Sequence, residues 1–190
     1  AILDLDSKVI RSVDTPAAPT GLVFSPDGST LYVTCARPEG MVCVVDAPFV
    51  EVSATMPAGH TATAPAISPD GARLYVCNRF DNDVSFVDLA QNKEVAAVPL
   101  TREPIASAVS PDGATLVVIN HLPLDPADGY DVAAVVSIID TQTKDVKNLR
   151  LVNGSSSLRS VCVAPDGKYA YATHILARYQ MPTTQLERGW

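Results

Sequence analysis

The chain is short of most residues and motifs that announce an activity. Cysteine is scarce: Cys35, Cys43, Cys77 and Cys162 are the only four. No two form Cys-x-x-Cys, so neither a thioredoxin-type dithiol nor a Cys-x-x-Cys-His haem attachment is encoded. No Gly-x-Ser-x-Gly occurs; Gly154-Ser155-Ser156-Ser157 departs from that pattern and lacks its strand–helix setting. P-loop, dinucleotide and His-Glu-x-x-His motifs are missing too. Positive charge is sparse, with 14 Lys and Arg against 21 Asp and Glu and a net charge of −7. With no basic cluster and only 6% aromatic residues, nucleic acid is excluded as the expected partner. No apolar run is long enough to span a membrane. No signal peptide is visible, and a processed start would hide one.

What the chain does have is repetition. Ser25-Pro26-Asp27-Gly28 returns as Ser68-Pro69-Asp70-Gly71, as Ser110-Pro111-Asp112-Gly113 and as Ala164-Pro165-Asp166-Gly167. The steps are 43, 42 and 54 residues, and a near-constant period of this size marks a repeat architecture. Each copy separates two strand-like runs, a and b. Strand a reads Gly21-Leu22-Val23-Phe24, Pro65-Ala66-Ile67, Ala108-Val109 and Val161-Cys162-Val163. Strand b reads Leu31-Tyr32-Val33-Thr34, Leu74-Tyr75-Val76-Cys77, Leu116-Val117-Val118-Ile119 and Ala170-Tyr171-Ala172-Thr173. β-Branched and aromatic residues favour strands. Pro presets φ for the first central turn position, Asp tolerates the second, and Gly takes the left-handed one.

A third strand, c, reads Val42-Cys43-Val44-Val45-Asp46, Val84-Ser85-Phe86-Val87-Asp88 and Val136-Ser137-Ile138-Ile139-Asp140. A weaker fourth, d, is expected from Val50 to Thr55, Glu94 to Val98 and Asp145 to Leu151. Four strands in each repeat of this length predict an all-β fold, a β-propeller of four-stranded antiparallel blades. Three complete blades are expected, at about residues 14–56, 57–100 and 101–152. Residues 1–13 supply strands c and d only; residues 153–190 supply strands a and b and a tail. Either the half-blades pair and close a four-bladed ring, or the chain belongs to a larger propeller of about six to eight blades. The second is the expectation, with self-association through the open ends as its consequence. The aspartates ending strand c (Asp46, Asp88, Asp140, and Asp6 near the start) read as turn caps.

Leu31-Tyr32-Val33-Thr34 and Leu74-Tyr75-Val76-Cys77-Asn78, with Ser-Pro-Asp-Gly before and Val-x-Val-Asp after, resemble the YVTN-type β-propeller family of bacterial surface-layer and periplasmic proteins. The tail, His174 to Trp190, is similar to a stretch in large bacterial propellers fused to c-type cytochrome or peroxidase-like domains. The resemblance implies a periplasmic or extracellular location at the cell surface. It implies a protein partner or fused domain, such as a cytochrome. This chain itself is expected to hold no cofactor; haem would lie in a domain outside it.

Three functions follow as expectations. The first is a non-catalytic propeller module, a binding or docking platform in a larger exported bacterial protein. The second is the propeller part of a haem-linked redox enzyme. The third, a metal-dependent lactonase-like hydrolase, needs channel-facing ligands from several blades, and few are found.

Loops b–c and d–a open on one face, where propeller ligands usually sit. Alignment on the turns puts Cys35, Asn78, Asn120 and His174 at equivalent strand-b ends. Around them fall Arg79, Phe80, His121 and Arg178, and the d–a loops add His60 and Arg102. His and Arg suit metals and anions; polar residues at strand ends also satisfy backbone groups. For Asn78 and Asn120 the resemblance implies the structural reading, since they match the repeat of that family, and for His121 and His174 both stay open. The third blade carries about ten extra residues in its b–c loop, from His121 to Val132. Asp125, Asp128 and Asp131 there are weak calcium candidates, since their spacing does not match an EF-hand. Cys35 and Cys43 flank one hairpin and a disulfide between them is the less favoured alternative, because strand alternation is expected to point them to opposite faces.

Overall fold

The computed structural model describes residues 1–177 apart from 4, 7, 9, 127, 128 and 130. Sixteen strands and no helix are found among the described residues. The first pair is β1 (Ile2–Leu3) with β2 (Ile10–Arg11). Blade 1 comprises β3 (Ala18–Phe24), β4 (Thr30–Ala36), β5 (Met41–Asp46) and β6 (Ala54–Pro57). Blade 2 comprises β7 (Ala62–Ile67), β8 (Arg73–Asn78), β9 (Asp83–Asp88) and β10 (Lys93–Pro99). Blade 3 comprises β11 (Pro104–Val109), β12 (Thr115–Asn120), β13 (Val135–Asp140) and β14 (Val146–Arg150). A two-stranded half-blade ends the series with β15 (Ser155–Val163) and β16 (Ala170–Leu176). Each full blade is an antiparallel meander in chain order. These are propeller blades, as the repeat implies.

Among the strand bounds that depart from the sequence reading, two have a clear local cause. Strand d of blade 1 begins at Ala54, not Val50. Phe49 turns back on the end of β5, its N–H bonding the Asp46 carbonyl at 2.8 Å, with a φ of 59° outside the β region. Its ring instead packs edge-on against Phe24 at 5.6 Å. The last strand b continues past the Ala170–Thr173 run to Leu176, because Ile175 and Leu176 pair with Ser156 and Ser155.

The first strand of each blade packs on the first strand of the next: β3 on β7, β7 on β11, β11 on β15. Each of the four carries a register shift near its start, a bulge that bends the strand. Side chains also cross between blades. Thr20 Oγ1 donates to the Ala62 carbonyl at 2.6 Å, and Ser107 Oγ to the Ala64 carbonyl at 2.9 Å.

The core lies between blades rather than within one. Val42 and Met56 of blade 1 meet Leu74, Val76 and Val87 of blade 2. Tyr75, Cys77, Val84 and Phe86, on the other side of blade 2, meet Leu116, Val118 and Ile139 of blade 3. Val117, Ile119 and Val136 then meet Leu158 of the half-blade. Both faces of a central strand are thus buried, so β8 and β12 read as unbroken apolar runs rather than alternating ones.

The Ser-Pro-Asp-Gly turns line up along one rim. Gly28, Gly71, Gly113 and Gly167 all have φ between 71° and 74°. A Cβ placed on Gly71 would meet Pro26 at 3.3 Å, one on Gly113 would meet Pro69 at 3.3 Å, and one on Gly167 would meet Pro111 at 3.6 Å. Each turn therefore rests on the proline of the turn before it.

Candidate functional site

The opposite rim carries the sequence candidates, and it is built from d–a loops locked to b–c turns. The Arg79 N–H bonds the Thr61 carbonyl at 3.2 Å, Phe80 N–H the His60 carbonyl at 3.3 Å, and His121 N–H the Glu103 carbonyl at 2.8 Å. Thr61 and Glu103, each just before a strand a, hold φ of 57° and 49°.

These loops bring three of the candidates together. The His60 ring sits edge-on to Phe80 at 5.2 Å. The Arg79 guanidinium lies 5.0 Å from the centre of the Phe80 ring. Its Nε and Nη2 donate to Glu103 Oε2 at 3.0 and 2.7 Å. Phe80 remains 51% exposed. The row His60–Phe80–Arg79–Glu103 thus spans the entrances of blades 2 and 3. Arg79 already has its counter-charge, so the row offers an aromatic surface more than a bare cation.

The other candidates have separate partners. Arg102 Nη1 donates to the Pro123 carbonyl at 3.4 Å. His121 Nδ1 lies 3.4 Å from the Leu158 carbonyl, and His174, exposed, lies 3.4 Å from the Ile175 carbonyl. Arg178 lies outside the described residues, as does Asp128. Asp125 Oδ2 accepts from Ala133 N–H at 3.1 Å and Arg150 Nη2 at 3.0 Å, which holds its carboxyl below the ordinary value. Asp131 Oδ1 accepts from Asn153 Nδ2 at 2.6 Å. The two acids tie the long loop to the end of blade 3. Among the described residues no group of three His, Cys, Asp or Glu could hold a metal ion.

The strand-b asparagines are structural. Asn78 accepts from Gly59 N–H at 3.0 Å and donates to Asp83 at 2.7 Å and Ser85 at 2.8 Å. Asn120 donates to the Val135 carbonyl at 3.0 Å and to Ser137 at 2.9 Å. Two strand-c aspartates cap turns: Asp88 takes Gln91 N–H at 3.0 Å and pairs with Arg73, and Asp140 takes Gln142 and Thr143 N–H at 2.9 and 2.8 Å. Asp46 instead accepts from Thr30 and Ser53 hydroxyls at 2.8 and 2.7 Å.

Sequence reasoning missed an acidic cleft of about 320 Å³ beside this row, lined by Gly59, Asn78, Asp81, Asp83 and Glu94 among others. Ser85 donates to Glu94 at 2.5 Å, and Asp81 receives His60 N–H at 2.6 Å. Burial pushes the Asp83 carboxyl up; Asn78 opposes this, and Asp81 and Glu94 add to it. In sequence, Asp81-Asn82-Asp83 reads most simply as a tight b–c turn. Glu94 lies outside that turn, on strand d, and reaches the cleft only through the β9–β10 pairing.

No family profile and no curated protein matches the chain. Among solved structures 913 chains match, a breadth that makes the fold alone uninformative about activity. One match is a hydrazine synthase from Kuenenia stuttgartiensis. It is 27% identical, with a TM-score of 0.55 over 90% of this chain. The chain covers 60% of that protein's own length. No helix among the described residues is long and apolar enough to cross a membrane, a statement that does not bear on strand-built membrane proteins.

Proposed function

We propose that the chain is a non-catalytic β-propeller module, a docking platform within a larger exported bacterial protein. The observation that carries this reading is the outer face of the half-blade. Its inner face packs on blade 3 through Leu158, Val161 and Ala172. The outer face leaves Tyr171 61% and Ile175 55% exposed, with Tyr169 at 63% close by. At the opposite end of the series Leu22 and Phe24 of β3 are 63% and 48% exposed. Apolar surface gathered in this way marks an interaction site.

Docking on these faces predicts self-association of the isolated chain. Light scattering of the purified chain should show oligomers, and Tyr171→Asp with Ile175→Asp should shift it toward monomer. The folded state should change by under about 0.5 kcal/mol, because both positions are exposed. A wild-type chain that stays monomeric at all accessible concentrations contradicts the reading.

The likeness to a hydrazine synthase favours a second reading, in which the platform serves a redox assembly and haem sits in a partner domain. A periplasmic or cell-surface location and the YVTN-type relationship belong to the same proposal. Co-purification with a protein showing a haem Soret band supports it. Saturable binding only to haem-free partners counts against it.

A further inference from the structure

Blade 1 holds a close pair of thiols away from the loops. Cys35 on β4 and Cys43 on β5 are both fully buried, and their Sγ atoms lie 3.7 Å apart. The register explains the approach. Cys35 pairs with Met41 and Cys43 with Val33, so the two cysteines are diagonal neighbours on one face. They share it with Leu31, Val33 and Val45. The expectation that they point to opposite faces is thereby corrected. A disulfide needs the sulfurs at ~2.0 Å, so closing the pair draws the two side chains together from the 3.7 Å of the reduced chain.

We propose that Cys35 and Cys43 are an oxidisable pair that closes into an intramolecular disulfide and staples β4 to β5. The oxidant is a small-molecule disulfide such as oxidised glutathione. One cysteine thiolate attacks it, forms a mixed disulfide and releases one glutathione thiol. The second cysteine thiolate attacks the mixed disulfide at the protein sulfur and releases the other. Two cysteine protons end on two glutathione thiols, and the protein loses two hydrogens.

Timing follows from the surroundings. In the folded, reduced chain burial pushes the Cys43 thiol up to about 12, with the Cys35 contact adding to the shift. Only thiolates attack disulfides. The bond therefore forms while the hairpin is still open, and once folded it is shielded from external thiols. Cys77 lies in the core between blades 2 and 3 and Cys162 is exposed on β15, so each belongs to a different part of the molecule.

The test uses the whole chain with Cys162→Ser, which removes the exposed thiol. It is unfolded, refolded in oxidised and reduced glutathione, alkylated in denaturant and cleaved after glutamate. Glu39 lies between the two cysteines, so cleavage there separates them unless they are bonded. The expected result is two peptides joined until reduction, Cys77 alkylated, and an intact mass lower by two hydrogens. Alkylation of all three remaining cysteines overturns the proposal, as does a bond through Cys77. Expression in an oxidising bacterial compartment followed by the same mapping gives a reading independent of refolding. The oxidised chain should also melt several degrees above the reduced one. A lower midpoint for the oxidised form overturns the staple.

Discussion

Gly59 carries more of the rim than its size suggests. A Cβ there would stand 2.5 Å from Asn78 Cγ and 2.5 Å from Asp81 Oδ2. Both atoms belong to groups that hold the loop, through Gly59 N–H and His60 N–H. Gly59→Ala is expected to cost about 1–3 kcal/mol, the usual range for overpacking. Calorimetry checks this, and an unchanged melting midpoint means the loop yields freely. Blade 3 shows the alternative: Thr101 takes the place of Gly59, three residues before strand a. There Thr101 Oγ1 and Asn120 Oδ1 are both buried without a protein partner. At this scale the sequence was half legible. The asparagines could be read as structural because they match the repeat of the family the chain resembles. Glu103 could not be matched to Arg79, because the two meet only across a blade junction. The cysteine pair was misread because alternation along each strand does not set the relative face of two strands; hairpin register does.

The Ser-Pro-Asp-Gly turn is the element that repeats, and its chemistry is now specific. Ser25, Ser68 and Ser110 hydroxyls each donate to the aspartate two residues on, at 2.5 Å. The same aspartates accept backbone N–H from Ser29, Ala72 and Ala114 at 3.1, 3.0 and 3.0 Å. Pro and Gly were legible as turn formers; the stacking of one turn on the next was not, since it depends on blade packing. Gly71→Val places a β-branched residue at φ +72° against Pro26. The expected loss is roughly 1–3 kcal/mol, read as a lower denaturation midpoint; no change would mean the left-handed position is dispensable. The turns also set a pH dependence. The Ser25 hydroxyl, then the Ser29 N–H and hydroxyl, hold Asp27 down to about 2. Serine hydroxyls lower Asp70 and Asp112 in the same way. A carboxyl lowered in the folded state adds stability above its ordinary unfolded value, and that stability is lost as pH falls through the folded one. Asp83 runs the other way, because burial raises it. With the turn aspartates in the majority, the melting midpoint should fall between about pH 4 and pH 2. A midpoint that rises over that interval contradicts the turn geometry.

At the scale of the whole molecule, blades stabilise each other through shared faces, and the docking proposal rests on apolar side chains of β3 and β16 that stay exposed. The period of the turns made the all-β propeller legible from sequence alone. The exposed apolar residues of β3 and β16 were not legible in the sequence, since which of them face outward follows from the pairing. Hydrogen–deuterium exchange of the chain at low and high protein concentration measures docking most directly. Association through the half-blade predicts slower exchange at high concentration in β15, β16 and β3, with β8 and β12 unchanged. Equal exchange at both concentrations, or protection confined to the His60–Phe80 rim, would contradict it.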